Sequence, residues 1–318
     1  MGTKKIFILF MLFIFLIIGC QNTNTQAIEN EETNNPLKEP HESQELKEFT
    51  EPLLIKISKT EIFPGDFFSV LIFNTQDNDE IKFTSPFLNF QNEFYPLDME
   101  KIRFVGVNYR TKPGPYDCQI QVMRNGTSIF NESFTIHVNH KQFPTQHLKV
   151  TQTQLNIRTS DRRDDDAKYV RIAKSVSSSA PLWEGAFLLP LQGRISTEYG
   201  VIRYINNEES GRHAGIDIAA LRSTPIKATN SGIVTLTRNQ LVTGNTVVID
   251  HGMDIFSSYA HLHKIYVKQG QYVRKGDIIG EVGSTGFSTG PHLHWTISLK
   301  DIFVNPWLFI ESDPLPIQ

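Results

Sequence analysis

Two short runs near the C-terminus carry the side chains most able to do chemistry: His213-Ala-Gly-Ile-Asp217 and, much further along, His292-Leu-His294. Two imidazoles and a carboxylate can hold one Zn²⁺ and leave a fourth coordination position open to water. That open position separates a catalytic zinc from a structural one, so the pattern predicts hydrolysis. Residues two apart on a strand project from one face, which lets His292 and His294 converge while Leu293 packs behind them. Asp217 lies four positions after His213, and Gly215 between them suits a close or bent backbone path that turns both side chains the same way. At this level all four are candidate ligands. Either pair alone is weak, because an isolated His-x-His in a β-rich chain is commonly a satisfied polar residue. The conjunction is stronger. Six of the ten histidines (His213, His251, His261, His263, His292 and His294) fall in the last third of the chain, an enrichment that packing does not predict.

Something must aim these side chains. Residues 233–236, 246–249, 265–267, 278–282 and 293–297 read as strands punctuated by glycine with scarcely a helical period, which predicts an antiparallel β domain. Upstream, alternating or aromatic-rich runs at 53–57, 67–73, 102–107, 116–122 and 134–138 are separated by Pro64-Gly65, Pro113-Gly114 and Asn125-Gly126, the last a two-residue hairpin signal. This predicts an immunoglobulin-like β-sandwich over 51–140. Residues 141–186 are a polar connector, partly helical where charged residues mix with Val170, Ile172 and Val176. Its run Asp161-Arg-Arg-Asp-Asp-Asp166 reads as a solvated loop or helix end. The expected fold class is mainly β, with the chemistry in the second half.

From Phe187 to Trp307 the text resembles a known family. The matching blocks are Gly193-Arg-Ile-Ser-Thr-Glu-Tyr-Gly200, Arg212-His-Ala-Gly-Ile-Asp-Ile-Ala-Ala220, Thr224-Pro-Ile-Lys-Ala228, Gly244-Asn-Thr-Val-Val-Ile-Asp-His-Gly252, Tyr259-Ala-His-Leu262, Gly280-Glu-Val-Gly-Ser-Thr-Gly286 and Gly290-Pro-His-Leu-His-Trp295. They resemble the zinc endopeptidases of the lysostaphin and LytM type, the M23 metallopeptidases. Phe143-Pro144 and Leu182-Trp183 are similar to the lead-in of relatives with this architecture. The resemblance implies a peptidase domain over 187–318 with a narrow groove, one Zn²⁺ per chain held by His213, Asp217 and His294, and two catalytic histidines, His261 and His292. In such enzymes the latter pair flanks the activated water and the scissile carbonyl, and an imidazole can move protons near neutral pH. The implied substrate is peptidoglycan, cut at peptide bonds in its stem peptides or cross-links.

Departures are few. Relatives commonly have glycine before Thr224-Pro225, and Ser223 there alters loop flexibility rather than chemistry. A second His-x-His, His261-Leu-His263, also resembles a cupin motif, but that reading needs a Glu soon after it, and Lys264-Ile-Tyr-Val-Lys268 follows. His263 and His251 are therefore expected in supporting or structural roles. Some relatives lose ligands and act by binding the wall or activating another wall hydrolase, which is the alternative reading. With all three ligand positions and both catalytic positions filled, an enzyme is expected. A secreted protease acting on host or competitor proteins through a glycine-rich loop is less compatible with a lipid tether.

That tether is read from the N-terminus. Lys4 and Lys5 precede an apolar run over 6–18, shorter than the ~20 residues that cross a bilayer, and Gly19 then meets Cys20. This is a signal peptide's layout over 1–19. Ile17-Ile18-Gly19-Cys20 resembles a bacterial lipobox, with Ile17 at the usual leucine position, so Cys20 is expected to carry a lipid. Residues 20–50, rich in Asn, Thr, Gln and Glu, are expected to be a disordered tether. The expected location is the bacterial cell envelope, anchored to a membrane through Cys20, with room for an envelope regulatory protein as partner. Lipidation leaves Cys118 as the second of two cysteines, expected in a core as a small hydrophobe. A net charge of −3 argues against a nucleic-acid partner, and 39% hydrophobic residues suffice to build cores.

Overall fold

The structure is a computed structural model, and it describes residues 51–88, 93–98 and 100–315. The expected leader, the Cys20 lipidation site and the tether lie outside the described residues. Among the described residues no helix is long and apolar enough to cross a membrane.

The first half forms two four-stranded sheets. One runs in the order Leu54–Ile57, Phe67–Phe73, Glu100–Gly106, Tyr95–Leu97, and the other in the order Glu61–Ile62, Thr127–Val138, Gly114–Arg124, Asp79–Thr84. Asn125 and Gly126 take positive φ (51° and 76°) and close the hairpin between the two longest strands, as their pairing predicts. Alternation along Gly114–Arg124 buries Cys118, Ile120 and Val122 against Phe68, Val70, Ile72 and Val105. Cys118 is thus a core residue, and burial pushes its thiol up. The strand Phe67–Phe73 does not alternate in burial. Its other face, with Ile102 and Phe104, joins a second core, where Phe67 meets Phe309 at 5.1 Å and Phe104 meets Trp183 at 6.2 Å. A strand apolar on both faces is covered on both faces. Each such side chain stabilises the junction by roughly 1.5–3 kcal/mol, so the sandwich is bonded to the second half through a common core.

The second half is built on an eight-stranded antiparallel sheet ordered Arg194–Thr197, Ile216–Ala219, His292–Leu299, Ile255–Leu262, Asn245–Asp250, Gly232–Asn239, Tyr272–Val273, with Ile302–Val304 also paired to His292–Leu299. Ile216, Ile218, Leu293, Trp295 and Tyr259 fill its buried face. Gly215 is required by proximity: a Cβ there would lie 2.1 Å from the Trp295 carbonyl oxygen.

The connector contains two helices, Gln152–Ile157 and Ser160–Ala173. It also contributes Thr145–Leu148, which pairs in parallel with Ile202–Ile205 beside the large sheet. One expectation about it fails. Asp161 and Asp164 are exposed, but Asp166 is buried, because its carboxylate turns inward to meet unpaired backbone amides of a neighbouring loop. The run is a helix with one carboxylate committed to the interior.

Candidate metal centre and catalytic histidines

Strand register assembles the centre. Asp217 lies directly opposite His294, and Ala219 opposite His292, so the Asp and both His side chains share one face while Leu293 faces the core. His213 arrives from the turn ahead of that strand. Its Nε2 is 2.8 Å from Asp217 Oδ1 and 2.9 Å from His294 Nδ1, and His294 Nδ1 is 2.8 Å from the same Oδ1. These three are the described residues whose ligand atoms cluster closely enough to hold one metal ion.

Their hydrogen bonding says what belongs between them. His213 Nδ1 is 2.9 Å from the Glu198 carbonyl oxygen, an acceptor only, so Nδ1 carries the proton and Nε2 presents a lone pair. Burial pushes the His213 pKa down to about 4, despite the opposing influence of the Asp217 carboxylate, which favours a protonated ring. Burial pushes the Asp217 carboxyl up, but His213 and His294 overcome it and hold the group well below the usual carboxylate range. At neutral pH a neutral imidazole and a carboxylate therefore face each other, each with a lone pair, beside a third ligand atom. A cation resolves that convergence, and two imidazole nitrogens with one carboxylate oxygen are a donor set that zinc accepts. The site fits the metal.

His292 stands beside this group. Its Nε2 is 3.9 Å from Asp217 Oδ1, and its Nδ1 is 2.8 Å from the Gly290 carbonyl oxygen. His261 comes from the next strand, at an irregularity where the register slips between Asn245 and Val247. It has φ +65°, a conformation that costs a non-glycine residue energy and collects at functional sites. Its Nδ1 is 2.8 Å from the Thr285 carbonyl oxygen, and its ring centre is 4.8 Å from that of His292. Both rings thus donate from Nδ1 to a backbone carbonyl and present Nε2 to the centre. Burial pushes His261 down to about 3, with His292 and His294 adding to the effect, and burial also lowers His292. Both are neutral near pH 7 and able to accept a proton.

A cleft of about 220 Å³ opens over Asp217, His261 and His292, walled by Arg203, Thr197, Phe287 and Pro291 and by Gln146 and Leu148 of the connector strand. The other two histidines stand apart. His251 is fully buried between the Ser231 carbonyl and the Ser257 hydroxyl, at 2.7 Å from each, and is structural. His263 accepts from Arg222 at 3.1 Å and does not line the cleft.

Sequence reasoning missed Arg203. Its Nη2 donates to Asp217 Oδ2 at 2.6 Å, and its Nε to Gln146 Oε1 at 3.2 Å. It thereby occupies the second carboxylate oxygen and leaves Oδ1 for the metal. Groups that orient a ligand in this way typically account for 10–100-fold in metal affinity. Arg203→Gln is expected to weaken zinc binding by about that factor, read by competition with a chromophoric chelator, with the fold retained.

Residues 211–306 match the family model described as Peptidase family M23. Over 93 residues the chain is 45% identical to peptidoglycan DD-endopeptidase ShyA of Vibrio cholerae serotype O1, covering 29% of this chain and 22% of that protein. Over 113 residues it is 41% identical to DD-carboxypeptidase/endopeptidase Mpg of Neisseria meningitidis serogroup B, covering 36% of this chain and 26% of that protein. The chain thus spans only about a quarter of the length of these two curated relatives. A crystal structure of a putative peptidase M23 from Pseudomonas aeruginosa is 28% identical with a TM-score of 0.52, and the match covers 78% of this chain and 94% of that one. That likeness extends beyond the catalytic strands into the rest of the fold. Through its C-terminal domain, this chain belongs to peptidase family M23.

Proposed function

We propose that the protein is a zinc-dependent endopeptidase that hydrolyses peptide bonds in the stem peptides or cross-links of peptidoglycan. The observation that carries the reading is the convergence of His213 Nε2, Asp217 Oδ1 and His294 Nδ1 within 2.9 Å of one another, beside two histidines that present free Nε2 atoms. The names of the curated relatives, a peptidoglycan DD-endopeptidase and a DD-carboxypeptidase/endopeptidase, support the substrate class.

His213, Asp217 and His294 hold the metal, with Arg203 fixing the carboxylate. When bound, zinc supplies a Lewis acid that polarises a carbonyl and brings the pKa of a coordinated water toward neutrality. His261 and His292, neutral at working pH, stand beside the three ligand residues, with His292 Nε2 3.9 Å from Asp217 Oδ1 and the two rings 4.8 Å apart. One Nε2 would take a proton from the attacking water and return it to the nitrogen of the leaving amine, while the second imidazole would position the water and the scissile carbonyl. Thr197, Phe287 and the connector strand confine an extended peptide over the centre. In the same reading the enzyme sits in the bacterial cell envelope, tethered through a lipid on Cys20, which the basic-apolar-Gly-Cys leader supports.

The test is digestion of isolated peptidoglycan by wild type and Cys20→Ala protein, with products identified by mass spectrometry. New amine termini, their loss on chelation and return with zinc, and a shift of the Cys20→Ala protein from the membrane to the soluble fraction are expected. Digestion that survives chelation removes the zinc mechanism. Binding without new amine termini leaves a wall-binding module instead.

A further inference from the structure

His261 does not hold its own position. Its positive φ is maintained by a hydrogen bond from its backbone N–H to the Thr243 carbonyl at 2.9 Å, and its ring by the Thr285 carbonyl. Thr243 belongs to the turn that precedes the strand Asn245–Asp250. A second carbonyl of the same turn, that of Val242, accepts from the Phe287 N–H at 2.7 Å, and so fixes the segment that carries Thr285. The 241–243 turn is therefore a bracket with two arms, one on the backbone of His261 and one on the support of its ring.

What fixes the bracket comes from outside the residues matched to the family. Asp166, on the connector helix Ser160–Ala173, points its buried carboxylate into the turn. Oδ1 accepts from Leu241 N–H at 2.8 Å, and Oδ2 from Val242 N–H at 2.7 Å and Thr243 N–H at 3.1 Å. Three successive amides aimed at one point make an anion cradle, and bonds to a carboxylate are about twice as strong as neutral ones. An amide side chain cannot reproduce this, since its NH₂ end would meet an N–H donor.

The geometry points to Asp166 as a positioning residue for His261, acting through the 241–243 turn, so that the connector completes the hydrolytic site. This rests on the catalytic role proposed above for His261. Displacements of about 1 Å at a reacting group cost up to about 100-fold in rate, and a turn freed from its cap permits a displacement of that size. The connector is then part of the enzyme's working geometry.

The experiment uses the full zinc-loaded chain with Asp166→Asn and, as control, Asp164→Asn on the exposed side of the same helix. Amide hydrogen exchange is followed at 241–243 and at His261, together with kcat and KM on peptidoglycan fragments, zinc content and thermal stability. In Asp166→Asn, exchange at His261 is expected to rise roughly tenfold or more, while the strand Gly232–Asn239 keeps its protection. A kcat about 10- to 100-fold lower, with KM and zinc content unchanged, is expected alongside. Asp164→Asn changes neither. In a His261→Ala background the Asp166→Asn loss should shrink toward nothing, whereas a purely structural cap costs the same factor in both backgrounds. If Asp166→Asn does not fold, Asp166→Glu, which keeps the charge but moves both acceptor oxygens out by one methylene and so displaces the turn, carries the same comparison. Wild-type exchange at His261 in the variant, or an equal loss of kcat in both backgrounds, overturns the inference. If exchange responds but wild type cleaves nothing, the link from Asp166 to His261 stands and the proposed function fails.

Discussion

Replacing His294 by alanine is expected to leave a folded protein that no longer retains zinc and no longer cleaves. The strand His292–Leu299 is held by its other face, where Leu293 and Trp295 are fully buried, while the His294 side chain is 18% exposed. Removing it opens no core cavity, so thermal stability of the metal-free protein should change little. Metal binding should collapse. A three-residue set cut to two loses a direct donor, and the effect must exceed the 10–100-fold typical of losing a group that only orients a ligand. It should therefore exceed the effect of Arg203→Gln. The neighbouring substitution His292→Ala separates ligand from catalyst, because His292 Nε2 stands 3.9 Å from Asp217 Oδ1 and outside the close cluster. That variant should keep one zinc per chain and lose most hydrolysis. Zinc measured per folded chain by mass spectrometry decides the matter: a His294→Ala protein that holds zinc like wild type, or a His292→Ala protein that does not, reverses the two roles.

That contrast also marks the limit of what the sequence could tell. Alternation puts His292 and His294 on one face from the residue order alone. It cannot say which of them is the ligand, because the answer lies in the register across the sheet, where Asp217 meets His294 and not His292. The hairpin at Asn125-Gly126 was legible because a type I′ turn demands positive φ at two consecutive residues. The doubly buried strand Phe67–Phe73 could be read only as a strand, since the same apolar run serves a sandwich core on one face and a domain junction on the other. Arg203, Gln146 and Asp166 left no local signal. Each acts on a group far away in sequence through one or two polar atoms, and neither hydrophobic period nor turn chemistry records such a contact. In Asp166 the charged surroundings pointed the other way. Its neighbours are solvated, and only the inward turn of one residue in the helix distinguishes it.

His261 gives the second large effect, because it tests whether a histidine near the metal works on protons or merely packs. His261→Ala is expected to bind zinc with wild-type affinity and to lose about 10²- to 10⁴-fold in kcat, the range for removal of a general acid or base. The structure argues against a packing role on two grounds. The residue occupies a left-handed conformation that histidine adopts at a cost, and its ring is tied through Nδ1 to the Thr285 carbonyl so that Nε2 has no partner except the cleft. A side chain kept only to fill space needs neither feature. Alanine at φ +65° inherits the backbone strain, so some loss of stability is expected and must be kept apart from the loss of chemistry. His261→Asn makes that separation, since asparagine tolerates this region of φ,ψ better than most residues but cannot act as a base near pH 7. Thermal stability near wild type with kcat as low as in His261→Ala would establish that the imidazole, and not the conformation, is what the reaction uses. Wild-type kcat in the asparagine variant would reduce His261 to a structural residue and leave His292 to move the proton alone.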